Sequence, residues 1–506
     1  MSNRWSVLAL ILVVCCLSHL TECLASSTPR KERDALSSDI CSTLANQFPG
    51  KVELPTDAEY ASNLLTYYSE QEQKVHPACI ISPNSTLEVS AIINSIREHN
   101  ATFAIRSGGH ALNAGAANIE NGVTINLRAM NALTTDAAGA RVYIGPGLKW
   151  TEIYARLDRL GLVIPGGRDG DVGVGGLLTG GGISFFSGRF GWACDSVDNF
   201  EVVVASGAII NANAYENSDL FQALKGGSNN FGIVTRFDVR AFPLKEFYGG
   251  QIITPEIPGV PSTVPGKIKG FADLLANRDP YAAVILNFGW TPQVTFVSTV
   301  LQYTKPGVVD PPVFAPFTHA PDPVHLIDSV RVANLSSFAA ELSASPGYGS
   351  KYQWATSTFT GDEAMIITAH KLWNASISAL PPGTKANWFA GVQLFPVTAS
   401  QPNAFGIPNS SESSKLAVFL LIYFGYSAEE EAAITKIAQK LIADIEAAAK
   451  KAGKYNAFKY LNYAAYWQDP ISAYGNLAAM REVSKVYDPS GLFQKNCPGG
   501  FKIPVL

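Results

Sequence analysis

Nine of the seventeen residues from 166 to 182, GGRDGDVGVGGLLTGGG, are glycine. A chain so bare either makes turns or leaves main-chain N–H groups open to something that must come very close. Two further glycine clusters precede it: RSGGH at 106–110, with one of only seven histidines, and GPG at 145–147. One such cluster is explained equally well by tight turns. Three in one region point to a cradle for a phosphate or a planar ring.

The familiar nucleotide cradles do not fit. No G-x-G-x-x-G follows a strand in the Rossmann manner. GSNNFGI has the Walker-type glycine spacing, but Ile233 stands where the phosphate lysine belongs. G-x-S-x-G, H-E-x-x-H and C-x-x-C are all absent, so a serine elbow, a zincin and a dithiol or zinc ribbon are not indicated.

Residues 77–244 read as α/β, with many glycine turns. STLEVSAIINSIREHN carries Leu87, Ile92, Ile93 and Ile96 at helical spacing behind Ser85. TFAIR, GVTINL and RVYIG are short strands, and KWTEIYARLDRLG is a helix ending at Gly161. EVVVASGAIINAN signals a hairpin around Ser206-Gly207, NSDLFQALKGG a capped short helix, and IVTRFDVRAF a half-buried strand. After AFPL the composition shifts towards proline. AAVILNFGW, TFVSTVLQY and AVFLLIYFGY suggest an antiparallel sheet, and Ser427 with Glu430 caps a long helix that Gly453 ends. The expected division is a leader at 1–25, a first domain at 35–245 (core about 72–244), a second at 246–454, and a tail at 455–506 returning to the first. The expected fold class is α+β.

A length of 506 residues implies more than one core. A net charge of −4 with no polybasic run argues against nucleic acid and against an anionic membrane surface. Arg4 precedes SVLALILVVCCL, an apolar run roughly half of what spans a bilayer. With Cys23-Leu24-Ala25 it reads as a secretory leader cut after Ala25. In an oxidising compartment Cys41 and Cys79 are then the expected disulfide, and Cys194 a buried free thiol. Asn84, Asn100, Asn334, Asn374 and Asn409 head N-x-[ST] sequons.

RSGGHALNAG, GVTINL, GPGLKWTEIY, GGRDGDVGVGGLLTGGGISFFS, GWACDSV, LFQALKGGSNNFGIVTRF, YLNYA and YDPSGLFQ together resemble the berberine bridge enzyme-like family. These are FAD-linked oxidoreductases of the vanillyl-alcohol oxidase, or PCMH-type, fold, and the likeness is greatest to its fungal secreted branch. The resemblance implies a two-domain PCMH-type fold, with a helix-covered antiparallel sheet as the substrate domain. It implies FAD bonded covalently through His110, and a phosphate-facing loop of Arg106, Ser107, Gly108 and Gly109. It also sets the cofactor against Gly145, Gly147, Gly167, Asp171, Val172, Gly173, Gly176, Gly180, Gly181, Gly182, Val234 and Asn462.

Relatives often carry a second, cysteinyl tether. Here Asp169 occupies that position and Cys194 is offset, so His110 is expected to be the sole link. Val172 aligns with the residue that limits access of O2, and Leu177 stands where plant relatives have a histidine.

A flavin oxidase also needs a proton acceptor near the reacting C–H. The resemblance implicates Tyr463, with Asn462 beside the ring; an aromatic wall is the equally weighted role for Tyr463. Tyr460, Tyr466, Trp467 and Tyr474 read as core or pocket lining, and His319, His325 and His370 as surface or structural histidines. The expected function is a secreted, monomeric FAD oxidase. It removes a hydride from an alcohol or activated C–H of a small secondary metabolite or sugar and passes electrons to O2, giving H2O2. A flavoprotein cyclase with a non-redox role for the pocket and a dehydrogenase with another acceptor are the alternatives.

Overall fold

Glycine punctuation in the first half of the chain goes with mostly short strands, and the second half adds six strands of eight or nine residues. The computed structural model describes residues 30–344, 347–396 and 402–504, so the leader expected at 1–25 lies outside them. A first sheet contains β1 (Val52–Glu53), β2 (Cys79–Ile81), β3 (Phe103–Arg106) and β4 (Val123–Asn126) in the order β1-β2-β4-β3. Its β2/β4 and β3/β4 pairs are parallel. The crossover between β2 and β3 is the helix Thr86–Glu98, whose N-cap Ser85 accepts from Glu88 N. Val89, Ile92, Ile93 and Ile96 form its buried face. Leu87, expected on that face, is 74% exposed because it sits about 200° around the helix from Val89.

The next strands are β5 (Leu133–Thr135), β6 (Arg141–Ile144), β7 (Leu162–Val163), β8 (Val197–Val203), β9 (Ile209–Asn213), β10 (Ile233–Arg240) and β11 (Phe242–Pro243). Five form an antiparallel sheet, β5-β6-β10-β8-β9, while β7 pairs with β11. The β8–β9 turn is the expected hairpin, with Gly207 at φ +82. The short helix Ser218–Leu224 forms too, but Asn217 caps it without a side-chain bond to the helix.

The third sheet has nine antiparallel strands. They are β12 (Phe247–Pro255), β13 (Ala282–Trp290), β14 (Thr295–Tyr303), β15 (Ile327–Asp328), β16 (Arg331–Ala333), β17 (Tyr352–Thr360), β18 (Asn387–Leu394), β19 (Leu416–Phe424) and β20 (Tyr455–Asn456). Side chains alternate across a strand, and this sheet uses both faces. Ala282, Val284, Leu286 and Phe288 of β13 pack under the helices Val264–Ala276, Glu363–Ile377 and Glu431–Lys451. Ile285 and Asn287 point the other way, into a cavity. Ser427 and Glu430 exchange the expected main-chain to side-chain bonds ahead of the third helix.

Cys41 and Cys79 form a disulfide that ties the helix Arg30–Gln47 to β2, while Cys194 and Cys497 are buried thiols. Beyond β20 the chain runs back to the first sheet, where Leu492, Phe493 and Cys497 share a core with Ile92, Phe103 and Ile125. The architecture is the expected α+β fold. No helix among the described residues is long and apolar enough to cross a membrane.

Candidate active site

The open face of the nine-stranded sheet and the glycine clusters enclose a cavity of about 1060 Å³. Sites for a single small molecule run to roughly 300–1,000 Å³, so this one has room for a cofactor and a substrate together.

All three glycine clusters meet at its wall, and Ser107 joins them. Its hydroxyl donates to Pro146 O at 2.6 Å and accepts from Gly175 N at 3.1 Å. Beside it Gly108 and Gly173 cross backbone to backbone: a Cβ on Gly108 would stand 2.4 Å from Gly173 Cα. A Cβ on Gly176 would meet nothing within 4 Å, which leaves that main chain bare towards the cavity. This bare, doubly backed strand of peptide is what a flat ring or a pyrophosphate needs to approach main-chain N–H groups.

His110 follows at once, turned by Gly109 at φ +73. Its Nε2 is buried and has no hydrogen-bond partner. Burial, reinforced by the Lys149 cation and opposed by Asp171, holds the imidazole at about 4, so the ring is neutral at physiological pH. Tyr68 stacks on it. A neutral, unpartnered ring nitrogen at the edge of a ring-sized cradle fits a histidyl link to a flavin.

At the same cavity a short turn, Leu461–Tyr463, presents Asn462 and Tyr463. Asn462 Nδ2 donates to Leu177 O at 3.3 Å and to Tyr460 Oη at 3.0 Å, and Gly182 N donates to the same phenol at 3.0 Å. The turn is thus pinned to the long glycine run. Arg168 Nη2 donates to Tyr463 Oη at 2.5 Å and to Gln393 Oε1 at 2.7 Å, and Tyr463 Oη lies 3.3 Å from Gln393 Oε1. Trp354 and Tyr460 pack edge-on against the Tyr463 ring.

Of the residues expected at the cofactor, Ser107, Gly108, Gly109, His110, Val172, Gly173, Gly176, Val234 and Asn462 line the cavity. The others do not. Arg106 is 2% exposed and turned away, with its guanidinium bonded to Asn63 and Thr66 and stacked on Tyr67. Gly145 and Gly147 back onto the main chain at Met130 and Leu127, and Gly167 onto Trp150. Gly180 abuts Asn462, Gly181 abuts Phe405, and Gly182 abuts Ala193 and Leu177. Asp171 faces Lys149 at 3.9 Å. At each of these glycines the missing side chain makes way for a neighbouring segment.

Asp169 lines the cavity, its carboxylate accepting from Asp171 N at 2.9 Å and Ser343 Oγ at 2.8 Å; burial raises its pKa. Leu177 also lines it, and Cys194 does not. Tyr474 is core, Tyr460 is buried wall, and Trp467 packs partly buried on the sheet-and-helix core, whereas Tyr466 is 58% exposed, against expectation. His319 pairs with Asp310, His325 lies between buried Asp322 and exposed Asp328, and His370 stacks on Trp373.

Three residues escaped the sequence reading: Tyr68, which stacks on His110, Arg168 and Gln393. Arg168 had a visible signal, a lone cation inside a run nearly free of side chains. Gln393 had none, being one polar position on an apolar strand.

A family described as an FAD binding domain matches residues 77–213. The FAD-dependent monooxygenase tpcD of Cochliobolus heterostrophus is 34% identical over 471 residues, which cover 89% of this chain and 89% of its own. Among solved structures, BBE-like 1 of Physcomitrella patens superposes with a TM-score of 0.71 at 18% identity, over 92% of this chain and 100% of its own. The glucooligosaccharide oxidase of Acremonium strictum, which carries a 6-S-cysteinyl, 8α-N1-histidyl FAD, does so at 0.71 and 18%, over 90% and 97%.

Proposed function

This chain belongs to the berberine bridge enzyme-like family of FAD-binding oxidoreductases, and from that premise we propose that it holds FAD covalently through His110 alone. With it the protein removes a hydride from an alcohol or activated C–H of a small organic substrate, and O2 takes the electrons and leaves as H2O2. The observation that carries this is the neutral, stacked His110 ring with its unpartnered Nε2 at the crossing of the glycine clusters.

Bound FAD supplies the hydride-accepting ring that no side chain offers. In its deprotonated form Tyr463 takes the substrate's proton at its phenolic oxygen, beside which Arg168 and Gln393 stand. The apolar wall of Trp354 and Phe389 keeps bulk water from that oxygen. Asn462, tied to Leu177 and Tyr460, keeps the turn that bears Tyr463 against the glycine run. Asp169 at the cysteinyl position leaves a single link, and the small Val172 side chain admits O2. The leader read at 1–25, the disulfide and the sequons support export. Four sequon asparagines are exposed; Asn334 instead spends its side chain capping the helix Leu335–Ser343.

A second reading is favoured by the relatives, which are called FAD-dependent monooxygenases: one oxygen atom of O2 enters the product. Acid denaturation of the purified protein tests the tether. Yellow colour should precipitate with the wild type and stay in solution with His110→Ala. Flavin released from the wild type would overturn it. Peroxide yield and label incorporation from 18O2 then separate oxidase from monooxygenase, and substrate that takes up no label and never bleaches the flavin without air marks a non-redox cyclase.

A further inference from the structure

GSNNFGI has the glycine spacing of a phosphate loop without its lysine, and in the fold it holds another segment of the chain instead. Asn229 Nδ2 donates to Gly499 O at 3.1 Å, and Asn229 Oδ1 accepts from Lys502 Nζ at 2.9 Å. Asn230 Nδ2 donates to Phe501 O at 2.9 Å, and its Oδ1 accepts from Ile503 N at 3.3 Å. Arg481 Nε adds a bond to Pro504 O at 3.0 Å. Residues 498–504 belong to no helix or strand. Among the described residues, no main-chain to main-chain hydrogen bond involves them.

The same segment walls the cavity. Gly500 and Phe501 line it beside Ser228, Asn229 and Val234, yet Gly500 is also exposed to solvent. A single thickness of chain therefore separates this stretch of the cavity from water. The segment seats on the loop that follows His110: a Cβ on Gly499 would stand 1.8 Å from Gly115 O. Backbone fastened by side chains, outside any helix or sheet ladder, opens locally at far less cost than global unfolding. Resting on the reading of the cavity as an FAD site, we propose that residues 498–504 are a strap that swings aside to admit FAD and shuts behind it. Asn229, Asn230 and Arg481 are its fastenings.

The test compares the flavin-bearing wild type with the full chain carrying His110→Ala, freed of flavin, and uses FAD itself as the probe. In the flavin-free chain, amide hydrogen exchange of 498–504 should run at least about tenfold faster than that of β13 in the large sheet. In the flavin-bearing wild type the strap should exchange severalfold more slowly. Arg481→Gln, added to His110→Ala, removes a fastening that does not line the cavity. Flavin fluorescence should then show FAD association and dissociation both speeded, by roughly three- to tenfold, with Kd held within about twofold.

Protection of 498–504 equal to that of β13, or the same with and without flavin, overturns the proposal. Rates that Arg481→Gln leaves alone also overturn it, because FAD then enters elsewhere. A change in one rate only does so too, because the segment is then a plain contact of bound FAD. The exchange comparison stands even if the Arg481 variant fails to fold. Flavin absorbance is read first: a colourless wild type overturns the FAD reading itself, whereas a coloured protein with a fully protected segment overturns the strap alone.

Discussion

The Tyr68 ring lies flat on the His110 imidazole, with centroids 3.8 Å apart and planes 16° from parallel. Tyr352 backs Tyr68 at 4.7 Å, and Phe424 backs Tyr352 at 5.3 Å. The imidazole thus packs against a stack rooted in β17 and β19 of the nine-stranded sheet. Aromatic pairs contribute about 0.5–1.5 kcal/mol beyond area burial. Tyr68→Leu should keep most apolar bulk, lower Tm by a few degrees, and reduce the fraction of flavin that survives acid precipitation. An unchanged fraction would show that the stack orders the fold without orienting the ring.

Gly108→Ala places a methyl 2.4 Å from Gly173 Cα, so two main chains must part. Neither neighbour is a flexible side-chain tip that could move aside. The expected outcome is a folded protein whose absorbance shows little or no flavin. Near-wild-type flavin content would mean that the crossing has slack the geometry does not suggest.

Tyr463→Phe separates base from wall. Loss of a general base costs roughly 10²–10⁴ in turnover, whereas loss of a wall hydroxyl should cost less than about tenfold. Flavin content should not change. The variant's kcat profile should also lose whatever pH limb the wild type shows, and a retained limb would assign the proton to another group.

Glu72 is fully buried, and its carboxylate accepts from Ala117 N at 2.8 Å, beneath the loop that lines the cavity at Ala116 and Ala117. Burial pushes its pKa up to about 8, against the opposing pull of the main-chain bonds. Between its ordinary 4.5 and about 8 the folded chain binds more protons here than the unfolded chain. Its contribution to stability is thus present below that window and falls as pH rises through it. Glu72→Gln keeps an acceptor for Ala117 and carries no charge, so it should flatten the fall in Tm from about pH 5 to pH 8. A steeper fall would reverse the assignment.

The Cys41–Cys79 bridge spans 38 residues. A loop of that size constrains the unfolded chain by roughly 4 kcal/mol on the chain-entropy account. Cys41→Ser with Cys79→Ser should lower Tm markedly, and the absorbance of bound flavin should persist below the new Tm because the bridge lies away from the cavity.

Much of the glycine-rich wall of the cavity was legible because its signal is local. Ser107, Gly108, His110, Val172 and Gly176 sit in contiguous motifs, and all line the cavity. The helix from Thr86 and three strands of the large sheet, β13, β14 and β19, could be read from the chain itself, with Leu87 the error of a short window. Arg168, Gln393 and Tyr68 could not be assigned this way. Their roles depend on partners 295, 225 and 42 positions distant, and nothing adjacent in the chain announces those partners.

Periodicity, capping and glycine density are properties of neighbours along a chain, so the sequence by itself determined the elements, the helix-covered antiparallel sheet and the region of the cradle. Only the tertiary structure decided which glycines border the cavity and which make room for packing. Gly176 faces the cavity while Gly167 makes room for Trp150. A ligand and a crossing segment forbid a Cβ for the same steric reason, so both leave the same letter in the sequence, and only the packed chain tells them apart.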